Sequence, residues 1–231
     1  SGHGKHLDCP TLRLTNHHGL MIAGEAALSN WDAGMDMYIY GKLGNLIMTK
    51  EGINVLMTNL TGKVPPILQR LDYIRFNGEA AGYLHDLTLT GLFHTGAGMV
   101  KTDVMMSIDE QSMSRTYSGS VASADLDLGK LLNQEKKFGK VDFNVELKGF
   151  NYKNRYPESY IKGIISSFEY SQYQYENIML DGVYKDGGFN GRLSMDDANG
   201  SVQIDGNFNV AKTIPDFNLK ASVKNLRPHD L

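Results

Sequence analysis

From Val202 to Lys224 the chain alternates apolar and polar residues almost without exception. Val202, Ile204, Phe208 and Val210 stand on one side, and Gln203, Asp205, Asn207 and Asn209 on the other. A break at Thr213–Asp216 follows. The pattern then resumes, with Phe217, Leu219, Ala221 and Val223 against Asn218, Lys220, Ser222 and Lys224. Side chains of a strand point alternately to opposite faces, so this period of two predicts two strands with one greasy and one wet face. Such a stretch cannot be helical without scattering its apolar residues around the helix, and it cannot leave its greasy face bare without a partner.

The same design fills most of the chain. Alternating runs begin at Leu12, Leu20, Met35, Ile74, Leu87, Val100, Tyr117, Val141, Ile161, Ile178 and Phe189. They are separated by turn residues such as His17-His18-Gly19, Gly44-Asn45, Lys185-Asp186-Gly187-Gly188 and Asp196–Gly200. Roughly a dozen strands at a spacing of about 8–12 residues predict an all-β antiparallel meander. Helix is expected only as short pieces. Thr49 is placed to cap one with Ile53, Leu56 and Met57 at helical spacing, Pro66 to open a second through Leu71, and Asp127 or Gly129 to start a third near Leu128–Leu132. Residues 3–73 read as an N-terminal β segment with short helices and 74–231 as a continuous β segment, with Ser1-Gly2 as a cloning remnant.

Glycine recurs inside the strands, as in Phe76-Asn-Gly78, Leu89-Thr-Gly91, Tyr117-Ser-Gly119, Leu147-Lys-Gly149, Leu180-Asp-Gly182, Phe189-Asn-Gly191 and Ile204-Asp-Gly206. Glycine weakens a strand and marks bends or close approaches. Two readings stand: a common line along which the sheet folds, or a glycine lying under an aromatic ring in each strand.

A one-sidedly apolar sheet must close on a second sheet, bury a helix, or curve into a trough that greasy ligands occupy. With little helix to hand, the choice lies between sandwich and trough. A dozen strands about 4.8 Å apart would make a trough ~55–60 Å long. Strand parity places Phe143, Val145, Leu147, Phe189, Leu193, Ile204, Phe208, Leu219 and Val223 on the interior surface, and Asp142, Asn144, Glu146, Arg192, Asp205, Asn207 and Lys220 on the wet one. Eleven methionines suit either core filling or an adaptable greasy face.

Composition narrows the function. A net charge of −3 gives no bulk attraction to nucleic acid or an anionic membrane. One cysteine, Cys9, excludes an intrachain disulfide framework and a cysteine-rich zinc site. No run of ~18 apolar residues is present. Phosphate-loop, nucleophile-elbow, metalloprotease and dinucleotide motifs are absent, so an enzyme is not expected, nor a cofactor. His17-His18 and the acidic turns around Asp125 and Asp196 read as solvated turns before they read as metal sites.

Two stretches carry a family resemblance. Tyr117–Leu132 followed by Gly139–Gly149 resembles the recurring unit of AsmA-like proteins. Tyr175–Tyr184, Phe189–Asp197 and Val202–Gly206 look like TamB-type chains (translocation and assembly module) of Bacteroides-like bacteria. The resemblance covers most of Ile74–Leu231 and rests on patterns of apolar residue, glycine and aspartate. It implies a taco-like β-sheet in the periplasm, with an apolar groove that carries phospholipid between inner and outer membranes and supports outer-membrane protein assembly. It further implies a longer protein, held in the inner membrane by an N-terminal helix outside this fragment, whose outer-membrane partner is met by parts also outside it. The nine interior residues above then become the lipid groove, phospholipid acyl chains the ligand, and a monomer the expected state. The alternative is a glycan-binding or adhesin-like β-sandwich or solenoid that uses the tyrosines from Tyr152 to Tyr175.

Overall fold

The computed structural model describes residues 2–109, 111–112, 114–151, 158–209 and 216–225. The chain is an open antiparallel meander, curved into a trough, in which each strand pairs with the one before it and the sheet does not close into a barrel. Its strands are β1 (Gly2–His3), β2 (His6–Thr15), β3 (Leu20–Ser29), β4 (Tyr38–Thr49), β5 (Tyr73–Tyr83), β6 (Asp86–Thr95) and β7 (Gly98–Ile108). Then follow β8 (Arg115–Asp127), β9 (Phe138–Asn151), β10 (Glu158–Tyr170), β11 (Tyr173–Lys185), β12 (Gly188–Asp197), β13 (Gly200–Asn209) and β14 (Asp216–Lys224). Three short helices accompany them: α1 (Lys50–Thr61), α2 (Pro66–Gln69) and α3 (Leu128–Leu132). Most helices and strands fall where alternation and capping residues predict, but the run read from Met35 starts late: Gly34–Asp36 is a 3₁₀ turn and β4 begins at Tyr38. Thr49 accepts from the Gly52 amide at 3.3 Å, and Asp127 accepts from the Lys130 amide at 2.8 Å, each satisfying a donor that a helix start leaves bare.

A turn expectation fails as well. Gly44-Asn45 is no turn. β4 runs through it from Tyr38 to Thr49, and the two residues are absorbed as a register shift between Leu43 and Leu46 against β5. Bulges in β2, between Cys9 and Leu12, and between Ala23 and Gly24, lie in the neighbouring strand pairs, so the irregularity is shared by adjacent strands. Val210 and residues 213–215 of the break read at Thr213–Asp216 lie outside the described residues, and Asp216 opens β14.

Register turns the alternation of single strands into rows that cross the whole sheet. One inner row runs Leu12, Gly24, Leu43, Gly78, Gly91, Thr102, Val121, Val145, Gly163, Leu180, Leu193, Ile204 and Ala221. Beside it runs Leu14, Ile22, Leu46, Phe76, Phe93, Val100, Ser123, Phe143, Ile165, Ile178, Met195, Val202 and Val223. The greasy face of the sequence is therefore one continuous surface.

The strand glycines do not share one line. Gly78 and Gly91 pair directly in the first row, Gly182, Gly191 and Gly206 pair in the next, and Gly149 sits one row further on. Rings cover several of them. A Cβ on Gly91 would lie 2.4 Å from the Phe76 ring, and one on Gly182 would lie 2.6 Å from the Phe189 ring. Gly119 has a different reason: its φ of 141° is one that a side chain rarely tolerates.

The core sits at one end of the strands. Ile53 of α1, Leu71, and Leu131 of α3 pack on Ile74, Ala97, Leu126 and Val141, with Phe93, Val100, Phe143 and Ile165 around them. Ile53 is 1% exposed, the most buried large side chain described. Two polar ties hold this plug in place. Lys130 Nζ lies 2.6 Å from Asp72 Oδ2 and 3.0 Å from the Gly96 carbonyl, and the Arg70 guanidinium donates to the Leu131 carbonyl.

Candidate functional site

Beyond the helical plug no element among the described residues covers the inner face. Across β9–β13 it forms a groove of about 610 Å³ lined by Phe143, Val145, Leu147, Ile161, Ile165, Leu180, Tyr184, Gly187, Phe189, Leu193 and Phe208. Alternation positions each of these. Phe143, Val145 and Leu147 project inward from β9 while Asn144 and Glu146 between them are exposed. Register then lays the residues side by side: Phe143 against Ile165, Leu147 against Ile161, Leu180 against Leu193, and Phe189 against Phe208. Phe189 and Phe208 pack with their rings tilted at 36°, 5.7 Å between ring centres. Gly163 and Gly182 occupy inner positions without a side chain, which deepens the groove between these residues.

Six of the nine residues marked as interior line this groove: Phe143, Val145, Leu147, Phe189, Leu193 and Phe208. Ile204 lies in the same row, between Leu193 and Ala221, half-buried. Leu219 and Val223 belong to the same face on β14, in register with Gly206 and Val202, but are exposed. The seven residues marked as wet lie on the other face, and none lines the groove. Ile161, Ile165, Leu180 and Tyr184 were not among the nine. The signal for them was the parity of β10 and β11 themselves, which continues the row from β9.

Directly behind the groove a charged row braces the outer face. Glu146, Lys162, Asp181, Arg192, Asp205 and Lys220 are successive register partners, alternating in sign over six strands. Opposite charges facing one another across strands favour this register, and a slip of one residue would lose every pair. Lys162 Nζ lies 3.2 Å from Asp181 Oδ2, and Arg192 Nε lies 2.7 Å from Asp205 Oδ1. The Tyr160 hydroxyl donates to Asp181 at 2.7 Å and, with the Lys162 ammonium, holds that carboxyl below the ordinary range. The Gln203 amide and the Arg192 guanidinium do the same for Asp205. Asp181 in turn raises the Lys162 pKa.

The tyrosines do not form one platform. Tyr160 is on the outer face, bonded to Asp181. Tyr170, Tyr173 and Tyr175 gather with Phe138 and Phe168 at the α3 end of β10 and β11, where Tyr173 and Tyr175 pack edge-on at 4.6 Å. The Tyr173 hydroxyl is tied to Asp197 at 3.1 Å and accepts from Asn199 at 2.7 Å. Tyr152 and Tyr156 lie outside the described residues. Among the described residues no three His, Cys, Asp or Glu side chains converge as metal ligands. In the acidic turn around Asp125, Asp127 is the cap of α3, and Asp125 pairs with Lys140 at 2.9 Å.

The fold and site define a class, an open β-trough with a one-sided apolar groove and a charge-laddered outer face. Comparison with known proteins finds no matching family model, no matching curated protein and no matching solved structure.

Proposed function

We propose that this chain is a non-enzymatic, periplasmic segment of a cell-envelope protein of the TamB/AsmA-like kind, whose trough carries phospholipid acyl chains between the two membranes in support of outer-membrane assembly. The observation that supports this reading is the uncovered apolar face of β9–β13. Its groove lining holds one polar side chain, Tyr184, among Phe, Val, Leu and Ile. Large exposed apolar areas mark binding surfaces, because leaving them in water is unfavourable by about 25 cal/mol per Å². A hydrocarbon chain needs no hydrogen-bond partner, so it fits a groove that supplies almost none. Rows of register partners also give the face continuity across strands, which a path for a sliding chain requires.

Native mass spectrometry of protein purified from a bacterial envelope tests the reading. Co-purified phospholipid, removed by replacing Leu193 with Asp, is the expected result. Protein that emerges free of lipid and takes up none from vesicles of phosphatidylethanolamine and phosphatidylglycerol would sink it.

A further inference from the structure

At one end of the groove the inner row changes character. Tyr117, Gly149, Ser159 and Tyr184 are successive register partners. On either side the same row is apolar, with Leu87 and Met106 before it and Phe189, Phe208 and Phe217 after it. Ser159 is the one polar residue among the described residues that is buried. Its hydroxyl is hydrogen-bonded to that of Tyr117, which reaches it across Gly149. A Cβ on Gly149 would sit 2.6 Å from the Tyr117 hydroxyl oxygen, so the glycine is what admits the contact. Two residues further along the strands stand Leu147 and Ile161, and beside Ser159 stands Tyr184, all three lining the groove.

Two hydroxyls bring two O–H protons, and the bond between them uses one. The other O–H is free to serve an acceptor outside the pair. A pure alkane chain offers it nothing. The carbonyl oxygen of an ester or amide offers it an acceptor at the point where a lipid's chain meets its headgroup. We propose that the Tyr117–Ser159 hydroxyl pair is a binding subsite for the ester or amide carbonyl of an acyl chain lying in the groove. The pair thereby fixes which end of the lipid lies at this side of the trough and selects acyl lipids over ether lipids. This inference rests on the acyl-chain reading above and adds the ligand's functional group to it.

The test compares 1-palmitoylglycerol with 1-O-hexadecylglycerol, which share chain and headgroup but differ in the carbonyl. Binding is measured by calorimetry to wild type, Tyr117→Phe and Ser159→Ala, with the melting temperature of each ligand-free protein alongside. Wild type is expected to bind the ester about tenfold more tightly than the ether, as one hydrogen bond allows. Each variant should lose that preference while keeping its affinity for the ether, with the melting temperature lowered by no more than the loss of one hydrogen bond. Equal affinity of wild type for both lipids overturns the subsite and leaves the acyl-chain reading standing. So does an equal loss for both lipids in the variants, which would make the pair a packing element. Binding of neither lipid by wild type overturns the acyl-chain reading, and the subsite with it.

Discussion

The two halves of the sheet follow one rule of alternation and end in different states. Over β5–β9, at the strand ends beside α1 and α3, the inner face is sealed. Ile53, Leu71 and Leu131 come down on Ile74, Leu126 and Val141, and Phe76 is 5% exposed. Over β9–β14, Ile178 is still buried near that end, but along the groove the same face is open, and by β14 Phe217 is 59% exposed and Val223 51%. No difference in strand pattern separates these regions. What separates them is whether some other element lies on the apolar rows. A greasy strand face therefore records that something must cover it, and only the neighbours decide whether that cover is protein or ligand.

The largest expected effect comes from the sealed side. Phe76→Ala removes a buried ring that covers Gly78 and Gly91, and should cost ~3–5 kcal/mol in urea unfolding. Ile53→Ala should cost ~2–5 kcal/mol by opening the centre of the plug. A loss under ~1 kcal/mol at Ile53 would mean that the helices rest loosely on the sheet, and the contrast between halves would collapse.

Backbone geometry comes next. Gly119→Val asks a side chain to adopt a φ of 141° with its Cβ 2.0 Å from the Asp103 carbonyl oxygen. Strain of this kind is worth ~1–3 kcal/mol. Gly41 has open space where a Cβ would stand and no positive φ, so Gly41→Ala serves as the control and should leave the melting temperature nearly unchanged.

On the open side the effects on stability should be smaller and those on ligand larger. Val145→Asp and Leu193→Asp place a carboxylate in a groove that water can enter, so the melting temperature should move only modestly while bound lipid is lost. In a sealed core the same change would leave an unpaired buried charge, and its cost commonly exceeds ~3 kcal/mol. Unfolding of either variant at room temperature would show that this half is as closed as the other.

The smallest effect belongs to the outer charge row. Asp181 and Asp205 have pKa values depressed by their partners, Tyr160 and Lys162 for the first, Gln203 and Arg192 for the second. Their contribution is therefore present above the ordinary carboxylate pKa of about 4 and is lost as pH falls through the depressed values. Exposed pairs of this kind contribute little, so Asp181→Asn combined with Asp205→Asn should flatten the acid limb of the stability curve slightly and leave neutral stability nearly intact. A large drop at neutral pH would give the row a structural weight that exposed pairs do not have.

Most of the architecture was legible in the sequence because period two leaves little freedom. Parity alone put Phe143, Val145 and Leu147 on one face and Asn144 and Glu146 on the other, and Thr49 and Asp127 marked two of the helix starts. The rest depended on partners distant in the chain. Gly44-Asn45 has the composition of a turn, yet the pairing of β4 with β5 on both sides of it draws the two residues into a bulge. Nothing within β9 or β5 announces that Val141 and Ile74 share one core with Leu131 and Ile53. The Tyr117–Ser159 pair joins residues 42 positions apart through a glycine that belongs to a third strand. Such features follow from register, and register is a property of several strands together.

The central claim is that the open half of the apolar face holds acyl chains. A photo-crosslinking phenylalanine analogue at Leu193, inside the groove, and in a separate protein at Arg192, on the outer face one residue away, tests it most directly. After irradiation of cells and purification, mass spectrometry of the tryptic peptide should find phospholipid adducts at position 193 and none at 192. Adducts at both positions in equal yield, or at neither, would contradict the claim.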